Sequence, residues 1–372
     1  MQKNPEVYNS SEQEFDLGIL SYNLNTLSGN YGALLHSFAF QKYLDKLGVK
    51  SVIVSYAGFV FKDFIKGIIF NNFPSGFIRA VFITLKRLMF ADFYKRNKCV
   101  FTKNEYNFEN IETIKNIKKY CCETDVTWAC TSKGYNRIFM CDYPNMKNKE
   151  NIAYSVDYGS CDIPPELESL KEYAKNFKYI SIRHPSRLEA FKKQIEREDV
   201  VATIDPVFLL EEKDYLPYFK DIKSKEDYVF VYNCKEYSKD MIKQAKQFAK
   251  EHNCKIKIVN CCDQLCERRS HRVPTPITPE AFLRDLKNSR YVLTNSYHAI
   301  CFSIIFKKEF YAFQRIANNG KIETLLDISG LRDRFVEDGK FSTNKINYDE
   351  VEKKMKPMIE FSKEWLNKAL GL

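Results

Sequence analysis

Five histidines occur in the 372 residues, and one of them sits where chemistry is expected. The stretch from Tyr291 to Phe306, YVLTNSYHAICFSIIF, opens as a short apolar run, breaks at Thr294-Asn295-Ser296-Tyr297-His298, and resumes with helical spacing. That pattern predicts a buried strand, a polar elbow and a helix packed on a sheet. In open α/β folds, ligands bind outside the carboxyl ends of strands, where helix N-termini present free N–H groups. An imidazole at such an elbow can move a proton near neutral pH or contact an anion. Arg183 follows the apolar run Tyr179 to Ile182 and precedes a turn fixed by Pro185. Its guanidinium can grip a carboxylate or phosphate through two parallel hydrogen bonds; the alternative is an arginine held in an ion pair. The loop Asn30-Tyr31-Gly32-Ala33 carries a glycine that lets backbone approach a ligand closely. Asp205-Pro206 reads as the end of a strand.

These residues need elements to position them. Leu17 to Tyr22 reads as a first strand, Leu34 to Leu47 as an amphipathic helix ended by Gly48, and Val49 to Tyr56 as a second strand. This βαβ start predicts a parallel, Rossmann-like sheet. Short strands are expected over Thr124–Ala129, Ile138–Asp142, Asn151–Ser155, Tyr179–Ile182 and Val200–Ile204, with helices over Glu166–Phe177 and Leu188–Arg197. A second unit begins near Tyr228: strand, helix from Lys239 to His252, strand from Lys255 to Val259, helix from Pro279 to Asn288, then the elbow. Phe310 to Phe313 is a further strand, Lys321 to Gly330 a short helix, and Tyr348 to Leu370 a closing helix. The expected fold is α/β, with two Rossmann-like domains facing a cleft. Residues 1–215 form the first, 216–345 the second and 346–372 a C-terminal helix.

The composition, 44% hydrophobic and 28% charged, excludes a disordered chain. The net charge of +10 favours anionic partners. It is spread out, without a recognisable nucleic-acid-binding module, so nucleic acid is not an expected partner. Residues 1–16 are polar and resemble no secretory leader, so a cytoplasmic setting and free thiols are expected for the 12 cysteines. Cys254, Cys261, Cys262, Cys266 and His271 lack zinc-site spacing, and no metal is expected. No apolar run is long enough to span a membrane. Residues 57–101 are rich in Phe, Ile, Lys and Arg and predict two helices broken at 73–76. Such a helical, basic and aromatic insertion can lie in a membrane interface, or pack its apolar face on the sheet.

Four motifs in order resemble the polysaccharide pyruvyl transferase family. They are Asn30-Tyr31-Gly32-Ala33, Ile180-Ser181-Ile182-Arg183-His184, Asp205-Pro206-Val207-Phe208-Leu209-Leu210, and Thr294-Asn295-Ser296-Tyr297-His298-Ala299 before Phe302-Ser303-Ile304-Ile305. The likeness spans residues 17 to about 335. His184 stands where the family has glutamate, and Ala299 where it has glycine. The family's G-S-D-x-x-W element is matched to Cys130–Tyr135, which lacks the aspartate.

The resemblance implies a glycosyltransferase-B-like fold. It also implies transfer of an enolpyruvyl-derived unit from phosphoenolpyruvate to two hydroxyls of one sugar of a surface or capsular polysaccharide precursor. The product is a cyclic pyruvate ketal, and phosphate is released. Phosphoenolpyruvate is the donor substrate and no cofactor is expected. On this reading His298 is an acid/base or a contact of the leaving phosphate, and Arg183 binds a donor anion. Asn295 and Ser296 donate hydrogen bonds beside them, with Arg315 and Lys321 as further phosphate candidates. Asn30, Tyr31, Gly32 and His36 face the acceptor sugar. A lipid-linked acceptor at the inner face of the cell membrane would suit the 57–101 segment. The competing readings are a nucleotide-sugar-dependent glycosyltransferase of the same fold and a non-catalytic binding member.

Overall fold

Short apolar runs separated by amphipathic helices give parallel strands, because each crossover helix returns the chain in the same direction. The computed structural model describes residues 13–22, 30–56, 75–130, 134–159, 167–222, 224–234, 238–260, 277–315 and 320–372. The expected helix before residue 73, and Cys261, Cys262, Cys266 and His271, lie outside the described residues. The strands are β1 (Phe15–Leu20), β2 (Ser51–Ile53), β3 (Ile117–Glu123), β4 (Asn151–Val156), β5 (Phe177–Ile182), β6 (Val201–Ala202), β7 (Tyr228–Asn233), β8 (Lys255–Asn260), β9 (Tyr291–Thr294), β10 (Glu309–Phe313) and β11 (Phe335–Val336). The helices are α1 (Tyr31–Lys46), α2 (Ser75–Arg96), α3 (Leu167–Ala174), α4 (Leu188–Ile195), α5 (Glu212–Tyr215), α6 (Lys239–Glu251), α7 (Pro279–Lys287), α8 (Tyr297–Ile305), α9 (Gly320–Ser329) and α10 (Tyr348–Leu370).

Two sheets result, in the orders β2-β1-β3-β4-β5-β6 and β11-β10-β9-β7-β8. Every pairing between these strands is parallel. β4 and β7 are buried at every residue, as strands covered on both faces must be. The expected α/β fold with two Rossmann-like sheets is therefore observed. One apolar cluster runs through both halves, joining Leu17, Phe38 and Tyr31 to Tyr232, Phe282 and Tyr297. The closing helix α10 fastens them further. Its Ser362 hydroxyl accepts from the Ile204 N–H at 2.9 Å, and Trp365 lies against Tyr154. Its Tyr348 hydroxyl donates to the Ser303 carbonyl.

Two expected strands are corrected. Thr124–Ala129 contains a single 3-10 turn, Val126–Trp128, and the strand lies just before it as β3. Lys118 and Lys119 at the mouth of β3 hide it in the sequence, while Tyr120 to Glu123 are buried. Ile138–Asp142 forms turns whose Ile138, Phe139 and Met140 enter the core. In the 57–101 segment, α2 buries Phe90, Phe93 and Tyr94. Lys86 is buried, with its ammonium 3.6 Å above the Tyr31 ring. The described aromatic face of α2 thus packs on the protein, while Leu85 and Leu88 remain exposed.

Candidate functional site

Each sheet has one place where the winding of the chain reverses, between β1 and β3 and between β7 and β9. Ligand crevices form outside the carboxyl ends of strands at such switch points. The first sheet delivers Glu123 and Asp125 at the end of β3, Asp157 past β4, Arg183 and His184 past β5, and Asp205 past β6. The second delivers the Thr294–His298 elbow past β9 and Lys321 at the start of α9. The two switch points touch: the His36 ring on α1 stacks on the His298 ring on α8, with centroids 5.4 Å apart.

His298 starts α8 because the Ser296 side chain caps the helix, accepting from the Ala299 N–H. Its Nε2 lies 3.4 Å from Asp205 Oδ2. Burial pulls the imidazole below its ordinary value, against the attraction of Asp205, so it is neutral near pH 7. The other side of the ring rests on Gly32. A Cβ at residue 32 would fall 2.3 Å from His298 Nδ1 and 2.5 Å from its Cγ. The glycine is therefore needed for close approach of the ring. Gly32→Ala is expected to cost about 1–3 kcal/mol and to lower turnover by rotating His298 away. Denaturant unfolding beside steady-state turnover checks both effects.

Arg183 is 3% exposed and surrounded by acids. Its guanidinium donates to Asp157 and, at 3.2 Å, to Asp205, with Asp125 3.9 Å away. It also lies over the Tyr297 ring at 4.7 Å. Burial would raise the carboxyls of Asp125, Asp157 and Asp205, but surrounding cations and hydrogen-bond donors outweigh it and hold all three below the usual range. Lys321 and Arg183 act on Asp125, Arg183 and His184 on Asp157, and His298 and Arg183 on Asp205. A depressed folded pKa contributes stability that is present above the unfolded carboxyl value of 3.8 and lost as pH falls through the folded pKa. Melting temperature is therefore expected to fall steeply below about pH 4, as a thermal scan against pH would show.

The comparisons with known proteins can now be set beside this geometry. The family model for polysaccharide pyruvyl transferase matches residues 30–315. The chain belongs to that family. No curated protein matches the chain. Solved structures give distant likenesses. A functionally uncharacterized Klebsiella pneumoniae protein is 13% identical over 67% of this chain and 85% of its own, with a TM-score of 0.38. A UDP-N-acetylglucosamine 2-epimerase from Rickettsia bellii is 10% identical, covering 95% and 97%, with a TM-score of 0.40. Os79 from O. sativa, solved with UDP, is 9% identical, covering 95% of each chain, with a TM-score of 0.37. At these scores the likenesses carry no functional argument.

Asp125 and Trp128 stand at D-x-x-W spacing just ahead of Cys130–Tyr135. Trp128 is fully buried between Phe177 and Phe191, which anchors the turn. Asp125 adopts φ 55° and ψ −172°, a conformation costly for a non-glycine residue and characteristic of functional sites. His184, in place of the family glutamate, lies with Nε2 3.2 Å from Asp157. Burial lowers this imidazole, partly offset by that carboxylate.

Other expected site residues are placed differently. The Asn295 carboxamide is engaged inside the fold, accepting from the Cys234 N–H at 2.7 Å. Ser296 caps its own helix. Asn30 caps α1 by accepting from the Gly32 N–H, and receives the Tyr232 hydroxyl at 3.2 Å. Tyr31 stacks on Phe282 at 4.6 Å and donates to the Ile277 carbonyl. Asn30 and Tyr31 therefore bridge the two halves. His36 is fully buried against Glu123. Arg315 is 7% exposed. Lys321 extends over Tyr297, its ammonium lowered by burial against the attraction of Asp125. Arg187 reaches the same place, its guanidinium 3.6 Å from where a Gly320 Cβ would lie. Among the described residues, no group of three or more His, Cys, Asp and Glu is arranged to hold a metal ion.

Proposed function

We propose that this chain transfers a pyruvyl unit from phosphoenolpyruvate to two hydroxyls of one sugar in a polysaccharide precursor, forming a cyclic ketal. The supporting observation is the buried His298 imidazole held between Asp205 and Gly32 where the two switch points meet. A neutral imidazole can accept the proton of the first sugar hydroxyl as its oxygen bonds to C2 of the donor. The donor's C=C electron pair takes up a proton at C3, the one His298 has accepted, which returns the imidazole to its neutral form. The C2–O bond to phosphate then breaks, its electron pair leaving with phosphate. The second hydroxyl closes the ring and its proton passes to the departing phosphate. Asp205 offsets the charge that develops on His298. The donor anion is assigned to Arg315, Lys321 and the N–H groups opening α9. Arg183 supports the acids around the site through Asp157 and Asp205.

Residues 1–215 are read as the acceptor side, 216–345 as the donor side and 346–372 as the connecting helix. Among the described residues, no helix is long and apolar enough to cross a membrane. A cytoplasmic protein resting on the inner membrane face, with a lipid-linked acceptor, is part of the same proposal; exposed Leu85 and Leu88 on α2 support it. Incubation with phosphoenolpyruvate and acceptor saccharides tests the chemistry. Phosphate release that depends on acceptor supports it. Release of nucleotide from a nucleotide sugar instead would assign the site to glycosyl transfer, and absence of phosphoenolpyruvate binding by calorimetry would favour a non-catalytic member.

A further inference from the structure

One buried titratable pair beside the site has no part in the proposed chemistry. His36 Nδ1 lies 3.0 and 3.1 Å from the two carboxylate oxygens of Glu123. Both residues are fully buried. Donation to a carboxylate requires the proton on Nδ1. Glu123 is itself held, accepting from the Ser37 hydroxyl at 2.7 Å, and Ser37 is 2.7 Å from the Ser21 hydroxyl. This chain of partners leaves the His36 ring one orientation, stacked at 25° on His298. His36 Nε2 is buried without a hydrogen-bond partner among the described residues, as is His298 Nε2. Such orphaned buried atoms cost free energy and call for an explanation.

We propose that His36, clamped by Glu123, is a positioning residue for His298: a charged ring stacked on the reactive one, keeping it in place and in its neutral, proton-accepting form. This inference rests on reading His298 as the proton acceptor. Two stacked imidazoles cannot both hold a proton cheaply, since like charges at this separation oppose each other. The environments decide which one holds it. For His36, burial acts against the charged form, but the charge and hydrogen bond of Glu123 outweigh it and leave the imidazole raised. For His298, burial dominates and the His36 charge adds to it. Environments that push two neighbouring groups apart in this way separate their proton-holding roles. The other groups acting on His298 are Asp125 past β3 and Asp205 past β6, with the Tyr297 ring edge-on at 5.2 Å, while Arg183 past β5 and Lys321 on α9 act on those acids. Asp125 and Asp205 favour its protonated form. Without the His36 charge those two acids would pull His298 toward imidazolium and away from its role as acceptor.

The test is an NMR titration of the five imidazoles in 15N-histidine-labelled protein, in the wild type, His36→Gln and Glu123→Gln. The His298 signal is assigned by its loss in His298→Asn. Both variants remove the neighbouring charge, one directly and one by withdrawing the carboxylate that stabilises it. The His298 midpoint is expected to rise by about one pH unit in each. The acidic limb of kcat/KM is expected to move to higher pH by the same amount, because the acceptor form is then lost sooner as pH falls. A His298 midpoint unchanged in a folded variant overturns the proposal, as does a uniform loss of activity with an unmoved pH profile. Glu123→Gln, close in shape to the native side chain, provides the result if His36→Gln does not fold. The titration needs no substrate: if the wild type shows no phosphoenolpyruvate turnover, the pyruvyl-transfer reading fails while the coupling of the two rings is still decided.

Discussion

His298→Ala is expected to lower kcat by about 10²–10⁴-fold, with a much smaller change in KM. The argument is positional. His298 is the imidazole at the contact of the two switch points, and burial keeps it ready to accept a proton. The fold should survive the change, because Asp205 keeps its ion pair with Arg183 when the ring is removed. Phosphate release from phosphoenolpyruvate, followed at saturating donor and acceptor, reads kcat directly. The opposite split, with kcat retained and donor KM raised, would make His298 a phosphate contact and not a proton acceptor. Near-normal turnover would remove it from the mechanism.

Arg183→Ala is expected to be the most destabilising single change at the site, by about 3–5 kcal/mol. The cost lies in what remains. Asp157 and Asp205, 2% and 0% exposed, would lose a shared cation and stay charged in the interior. Arg183→Lys should recover only part of the loss, since one ammonium cannot reproduce a planar fork reaching both carboxylates. Urea unfolding of the three proteins measures this. The deficit of the alanine variant should shrink as pH is lowered toward 5, because the orphaned carboxylates then take up protons. A stable alanine variant that only fails to bind phosphoenolpyruvate would return Arg183 to the role of donor ligand.

How far the sequence could be read follows from the range of the interactions. The βαβ start and the elbow at residues 291–306 were legible because their apolar spacing is local, and so was the unit from Tyr228 to Val259. The helix α1 begins three residues before the expected Leu34 because Asn30 caps it. That is also a local signal, weakened by the glycine that follows. β3 was hidden by Lys118 and Lys119, so Asp125 just past its end gave no signal either. Asp205 read as a strand terminator because its partners, Arg183 and His298, are 22 and 93 positions away along the chain. Glu123 and Asp157 gave no signal beyond lying near strand ends. The pairing of His36 with Glu123 was not legible, since helical spacing does not tell a buried histidine paired with a distant glutamate from one facing a cleft. A search for acids at the carboxyl ends of all the parallel strands would have found Glu123, Asp125, Asp157 and Asp205 together.

The central claim is that the His298 site builds a pyruvate ketal. The most direct measurement is mass spectrometry of galactosyl, mannosyl and glucosyl acceptors after incubation with phosphoenolpyruvate and either the wild-type protein or His298→Ala. The account predicts that the wild type adds to one acceptor the mass of pyruvic acid less one water, with phosphate released in equal amount, and that His298→Ala forms this product far more slowly. A product carrying a sugar unit from a nucleotide donor, or a ketal formed equally fast by His298→Ala, would contradict it.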